Sequence, residues 1–438
     1  LGMHVIRAAI PLFFLCILLE LLWSQRAGRR MFRLNDSLSD LSCGVLSQMV
    51  GIFDKALTIG AFIWVAEHLR MQRALPFVSE WPNRSVVLGG ADGAPWEIDA
   101  AALAAWVIAF VLVDLCYYWS HRMSHEVNVL WAGHVVHHQS EEFNLAVALR
   151  QASIGKAMTW VFYLPLALIG MPWQLFVVSH GINLIYQFII HTRAVGKMGR
   201  LTEWVLNTPS HHRVHHGVNP KYQDKNYAGV FILFDRWFGT YQGEEEEPVY
   251  GITKPLRSWN PLWANLHVFV QMARDVRRTP AWGDRLRIVF GRPGWRPAAL
   301  GGPELPPEVS TQTFEKFDPP VPGPLAAYGF AQFLVAIAAA LVILRAATQG
   351  IDAGLAAAAF FVVVALAGVA GVFERAQWAR PLETARLVAL GCACAVLALT
   401  GQGPAILPWV GVAFALVSLG VLWRYRAALT EVELAPIM

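Results

Sequence analysis

The chain has 438 residues, 55% of them hydrophobic and 15% charged, with a formal net charge of +4 at neutral pH. Soluble domains carry roughly 25% charged residues, so the composition excludes an ordinary soluble enzyme and points to a membrane protein. The positive excess sits in loops between apolar runs, which makes it a topology signal and excludes a nucleic-acid-binding face.

Apolar runs near the ~20 residues that cross a bilayer fall at 4–24, 43–66, 101–120, 157–170, 173–191, 324–345, 353–373, 386–400 and 404–423. Nine such runs predict an all-α, polytopic integral membrane protein. After the first run, "SQRAGRRMFR" supplies Arg26, Arg29, Arg30 and Arg33. Basic residues collect on the cytoplasmic side, so this loop is placed inside and the N-terminus outside. Alternation then sets 121–156, 192–323, 374–385 and the C-terminus inside. The outside turns "TQGIDAG" and "TGQGP" carry no Lys or Arg, and a loop at 68–99 containing "EWPNRS" and "GGADGAPW" is also placed outside. No cleaved leader is expected, since "LWSQRAGRR" follows the first run where small residues would be needed. All five cysteines lie in expected spans without paired spacing, which indicates neither a disulfide framework nor a thiolate metal site.

Three regions follow from this order: N-terminal transmembrane helices in 1–120, a region in 101–323 that holds most of the polar residues and a cytoplasmic cap, and four Ala/Gly/Val-rich spans in 324–438 with no assignable role. The apolar stretch 157–191, turning at "IGMPW", reads as a membrane hairpin that returns the chain to the side it left. Residues 260–296 mix Trp, aliphatics and Arg, as an interfacial helix does.

Eleven of the fourteen histidines lie between 121 and 216. They form "HRMSH" (His121, His125), "HVVHH" (His134, His137, His138) and "HHRVHH" (His211, His212, His215, His216). Positions i, i+3 and i+4 of a helix share a face, so each cluster aims two or three imidazoles one way. A closed structural zinc takes four ligands; the eight imidazoles of HxxxH, HxxHH and HxxHH imply two metals, or one metal with idle histidines. Imidazole suits Zn, Cu, Fe and Ni alike, so the metal stays open at this point.

Two polar stripes run through apolar helices. His180, Asn183, Gln187 and His191 recur at helical spacing in "SHGINLIYQFIIH", which predicts a face toward a channel or bundle interior. His191, at its cytoplasmic end, is read as a further ligand, and His180 as a channel or interhelical group. Asp114, Tyr118, His121 and His125 form the second stripe. Asp114 is placed to orient a ligating imidazole, and Asp235 in "LFDRWFGTY" on weaker grounds. There is no GxSxG, P-loop, GxGxxG or HExxH to support another chemistry.

The ordered set HxxxH, HxxHH, HxxHH resembles that of the fatty acid hydroxylase and sterol desaturase superfamily over about 105–265. "DLCYYWSHRMSHE", "WAGHVVHHQSEEFNLAVALRQAS", "NTPSHHRVHHG" and "YGITKPLRSWNPLWAN" are most similar to its alkylglycerol monooxygenase branch. The resemblance implies a di-iron centre that uses O2 to oxygenate a lipid C–H bond. Its ligands carry over to His121, His125, His134, His137, His138, His212, His215 and His216, with His191 added. His211 is left as ligand or orienting group. The branch hydroxylates the carbon next to a glyceryl ether oxygen, and the hemiacetal falls apart to a fatty aldehyde and a glycerol derivative, with tetrahydropterin as reductant. Asn144, Arg150, Gln151 and Glu203 are polar candidates for the pterin or the lipid headgroup. Two alternatives remain: a hydroxylase or desaturase of sterol, carotenoid or fatty acyl lipids fed by ferredoxin or cytochrome b5, and a non-catalytic metal-binding or transport protein. Since no cytochrome or flavin domain is read here, a separate electron donor is expected.

Overall fold

A computed structural model describes residues 2–69, 71, 100–305, 307, 309–401 and 406–429. The expected outside loop at 68–99 falls almost wholly outside these residues, as does most of "TGQGP". Among the described residues the chain is all-helical, with no strand and an isolated bridge between Gly217 and Tyr250. The helices are α1 (Gly2–Arg26), α2 (Leu34–His68), α3 (Ala100–Glu126), α4 (Asn128–Ala132), α5 (Val135–His138), α6 (Gly155–Thr159), α7 (Leu164–Leu168), α8 (Trp173–Ile190), α9 (Arg200–Val205), α10 (Pro209–His215), α11 (Leu233–Trp237), α12 (Pro261–Arg278), α13 (Trp282–Phe290), α14 (Gly323–Ala346), α15 (Ala353–Phe373), α16 (Ala379–Leu399) and α17 (Leu407–Arg424).

Six described stretches are long and apolar enough to cross a membrane: Leu103–Glu126, Trp173–Ile190, Gly323–Ala346, Ala353–Phe373, Ala379–Leu399 and Leu407–Arg424. The 43–66 run lies in α2, whose parts Leu34–Phe53 and Thr58–His68 pass the same test only when taken together, and counting them as one span brings the number to seven. The expected 157–170 span is different. A 3₁₀ turn at Trp160–Tyr163 separates α6 from α7, and Ala157–Leu168 is about 18 Å long at 1.5 Å per residue. The expected hairpin is therefore a short, broken limb followed by one full helix.

The chain divides into two compact units, one of residues 1–33, 53–255 and 265–315, the other of 34–52, 256–264 and 316–438. In the first, α8 packs on α1 and α3. Phe13 stacks on Phe188 at 4.2 Å, and Ala109, Val113, Leu166, Met171 and Leu175 form a buried core. Leu103, Val107 and Ile108 stay exposed on α3, the arrangement a helix adopts when its solvent is lipid. The expected interfacial segment forms α12 and α13. Ile288 packs with Ala132 and Met272, leaving Trp282, Leu286 and Phe290 exposed on the edge an interfacial helix presents.

In the second unit α14 pairs with α15 and α16 with α17; Phe333, Val362, Leu366 and Phe373 belong to the core of the first pair, and Leu387 and Leu422 to a core that the second pair shares with α14 and α15. The sequence placed 374–385 in a loop because it is charged. Instead α16 begins at Ala379 and carries Glu383 and Arg386 into the interior, 2.7 Å apart. The pair is neutral as a whole, so the helix tolerates it. Gly368 on α15 makes room, since a Cβ there would overlap the Glu383 carboxylate.

Candidate metal centre

Nine histidines converge in two groups, His121, His125, His134, His138 and His215 in one and His137, His191, His212 and His216 in the other. Within each group the ligand atoms lie within 4.8 Å of one another. Helical geometry explains the division. Side chains at i and i+4 share a face, so His121 with His125, His134 with His138, and His212 with His216 stay together. Consecutive residues are about 100° apart at 3.6 residues per turn, so the doublets His137–His138 and His215–His216 each send one ring to either group. The groups abut: His138 and His216 stack at 4.4 Å.

The ring nitrogens show what the groups are suited to hold. Nδ1 of His137 lies 3.0 Å from the Arg150 carbonyl, and Nδ1 of His191 lies 2.6 Å from that of Gln187. A carbonyl only accepts, so each Nδ1 donates, using the one proton of a neutral imidazole. Both Nε2 atoms are then bare, yet they are 3.2 Å apart, and the His212 Nε2 is 2.9 Å from that of His191. The other group repeats the pattern: Nδ1 of His121 and His215 reach the carbonyls of Tyr227 (2.8 Å) and Lys225 (2.9 Å). There His134 Nε2 stands 3.1 Å from His121 Nε2 and 3.2 Å from His138 Nε2. The Nε2 atoms of His125, His215 and His216 are buried without a hydrogen-bond partner. Converging lone pairs repel unless a cation separates them; with metal–nitrogen bonds of about 2.1 Å, neighbouring ligands of one ion stand about 3.0–3.4 Å apart. The residues fit two metal ions. Burial also pushes His137 down to about 4, and burial with neighbouring imidazoles pushes His212 and His216 well below their ordinary value. The rings are neutral, as ligands must be.

Asp114 and Asp235 act differently from the sequence expectation. Neither accepts a ligand's ring N–H, because backbone carbonyls take that role and the carboxylates are already engaged. Asp114 accepts from the amides of Val230 (2.9 Å) and Phe231 (2.8 Å) and from Asn183 Nδ2 (2.6 Å). Asp235 accepts from the amides of Tyr227 (2.7 Å) and Ala228 (2.8 Å) and from Thr240; burial raises it to about 6. Together they clamp the 227–231 loop, which offers the Tyr227 carbonyl to His121. Gly229 permits the approach, since a Cβ would stand 2.5 Å from Asp114 Oδ1.

His211 joins neither group. It is the N3 residue of a capping box at the start of α10, its Nδ1 accepting from Thr208 N at 3.3 Å, with Nε2 3.0 Å from Glu203 Oε2. Glu203 also accepts from Thr208 and Ser210, so it braces α10. Gln187 donates to Asn183, which donates to Asp114, and both side chains are buried. His180 rests against Tyr163 and Phe176. Asn144 and Arg150 are likewise turned inward, Asn144 to the Met31 carbonyl at 2.8 Å and Arg150 to the Val136 carbonyl and Gln139. Gln151 bonds the Ala148 carbonyl. Sequence reasoning missed Glu20, whose carboxylate takes the Leu145 amide at 2.7 Å and the Thr192 hydroxyl beside His191. A lone carboxylate in an apolar helix is the signal that could have found it.

The fatty acid hydroxylase family model matches residues 106–240, which enclose every histidine of both groups. An alkylglycerol monooxygenase of Xenopus tropicalis is 36% identical over 383 residues, 87% of this chain and 80% of that protein. The human alkylglycerol monooxygenase is 40% identical over 309 residues, 70% of this chain and 63% of its own length. An ornithine lipid hydroxylase of Rhizobium tropici is 24% identical over 243 residues, 53% of this chain and 64% of that protein. No solved structure matches. A multi-pass helical protein with paired histidine groups and such relatives falls in the class of membrane lipid oxygenases. The chain belongs to the fatty acid hydroxylase family, on its alkylglycerol monooxygenase branch.

Proposed function

We propose that this chain is an O2-dependent di-iron monooxygenase that hydroxylates the ether-adjacent carbon of alkylglycerols and releases a fatty aldehyde. The observation that carries the metal part is the pair of abutting groups of converging ring nitrogens, nine imidazoles and no thiolate, four of them held with Nε2 bare by carbonyls on Nδ1. The relatives named alkylglycerol monooxygenase carry the substrate part. His121, His125, His134, His138 and His215 hold one iron, and His137, His191, His212 and His216 the other. When bound, the pair supplies the activation of O2 that no side chain provides.

The chain's own residues do the rest. The Tyr227, Arg150, Gln187 and Lys225 carbonyls fix ring orientation and tautomer, so each Nε2 presents a lone pair inward. The Asp114 and Asp235 clamp holds the first of these carbonyls. Per turnover one oxygen atom of O2 enters the C–H bond and the other leaves as water, consuming two electrons and two protons. The hemiacetal product then passes its hydroxyl proton to the ether oxygen as that C–O bond breaks, leaving aldehyde and a free glycerol hydroxyl. Tetrahydropterin is the proposed reductant. The catalytic region is taken as 101–323, with the metal site on the cytoplasmic side, N-terminus outside and C-terminus inside. We assign no role to 324–438.

The test supplies purified protein with O2, a tetrahydropterin and an alkylglycerol, then measures metal content and product mass. Iron at about two per chain with O2-dependent aldehyde is expected. Aldehyde-free hydroxylation or desaturation of a sterol or acyl lipid would move the substrate to the sister reading. Bound metal transported across vesicles without any oxidised lipid would sink the enzyme reading.

A further inference from the structure

One cavity lies on the far side of two aromatic rings from the second histidine group, and none of its features is used by the mechanism above. It measures about 780 Å³, within the roughly 300–1,000 Å³ of small-molecule sites. Its walls carry both charges: Arg29, Arg30 and Lys197 on one hand, Glu245 and Glu247 on the other, with Tyr250 at the inner end. Such a lining suits a compact polar molecule with donors and acceptors around its edge, and is wrong for an alkyl chain.

The inner wall leads to the metal groups. Tyr250 is buried and stacks nearly parallel on Phe143, 5.0 Å between centroids and 14° between planes. Phe143 in turn lies 5.6 Å from the His191 ring at 22°, and 5.2 Å from that of His216. Two aromatic rings thus bridge cavity and ligands in continuous contact. The wall is also tied to the ligand helix: Arg213, between His212 and His215, holds Glu244 by two bonds of 2.7 Å.

We propose that this cavity binds the small reduced nitrogen heterocycle that supplies the two electrons of each turnover, and that Tyr250 and Phe143 carry them to the His137, His191, His212 and His216 group. The inference rests on the proposed function, because only an oxygenase that returns one oxygen as water needs this donor. The donor loses two electrons and two protons; the electrons pass inward through the rings, the protons pass to solvent at the polar mouth, and the water formed takes its two protons from solvent.

The experiment uses the iron-loaded full chain in detergent and two readouts. The first is quenching of an oxidised, fluorescent pterin on binding. Saturable quenching is expected, weakened about tenfold or more by Arg30→Glu with Lys197→Glu. The second is the rate of anaerobic iron reduction by a tetrahydropterin compared with dithionite, which is small enough to reach the iron elsewhere. Tyr250→Leu should slow the pterin reaction about tenfold and leave the dithionite rate and iron content unchanged, while Tyr250→Phe, which keeps the ring, stays near wild type. Equal slowing with both reductants makes Tyr250 a packing residue and overturns the relay. Absence of saturable binding, or reduction by a ferredoxin alone, overturns the site. If dithionite supports aldehyde formation while no pterin binds, the inference fails and the function stands; if binding and reduction behave as expected and no lipid is oxidised, the function fails instead.

Discussion

Two buried polar clusters in this chain look alike by composition and differ in their protons. In the C-terminal unit, Arg386 donates to both oxygens of Glu383 and to Gln332 Oε1, Gln332 donates to Ser418, and Tyr328 donates to Glu383. Donors meet acceptors throughout, and nothing further is required. In the second histidine group two bare acceptors, the Nε2 atoms of His137 and His191, face each other at 3.2 Å, and only an added cation closes the account. Buried polarity alone therefore does not mark a site; an excess of lone pairs over protons does.

That contrast is broken most sharply by removing one member of each cluster. His137→Ala deletes a ligand from the second group, and should lower activity by more than about a hundredfold while iron falls toward one per chain. Elemental analysis and aldehyde release measure both; full iron with unchanged turnover would remove His137 from the site. Glu383→Ala should do the reverse. It leaves the Arg386 charge buried without its partner, costing about 3–5 kcal/mol, with iron per folded chain unchanged. Replacing both residues by apolar ones of similar volume should recover most of that stability. Loss of iron in Glu383→Ala, measured on the folded fraction, would erase the distinction between the clusters.

A smaller effect tests the positioning of the ligands. Asp114→Ala frees the 227–231 loop and with it the carbonyl that orients His121, and should weaken iron retention about 10–100-fold against a chelator. Activity restored by excess iron would show that the loss is in holding the metal; iron retention equal to wild type would remove the clamp from the argument.

What could be read in the sequence was local. The i, i+4 spacing of three histidine clusters is fixed within single turns, so the ligand candidates were legible, and His191 followed from the helical stripe that ends on it. The division into two groups was legible in principle from the HH doublets. The orienting partners were not. They are backbone carbonyls of Tyr227, Arg150 and Lys225, and any residue type supplies a carbonyl. Asp114 was found, but its partners are amides 116 and 117 positions away, which leave no mark in composition. Phe143 and Tyr250 look like ordinary core residues until the fold stacks them. The charges of "RPLET" read as loop because single charges avoid membranes; pairing Glu383 with Arg386 inside one helix reverses that inference. The 157–170 run misled in the opposite way, apolar enough to suggest a span but interrupted by its 3₁₀ turn.

The finest test separates neighbours in "HHRVHH". His211 and His212 are adjacent and both buried, yet the structure gives them unlike work. His212 Nε2 faces His191, whereas His211 Nδ1 takes the place of the carboxylate in a capping box, accepting the Thr208 amide. His211→Ala should then cost about 1 kcal/mol, the usual worth of a cap, and leave both irons bound. His211→Gln, able to accept the same amide, should recover most of that loss, because it restores the acceptor without an imidazole. Thermal unfolding and iron content read the two effects separately. If His211→Ala instead releases iron while His211→Gln does not restore it, the imidazole itself is needed, and the doubled histidine is a ligand.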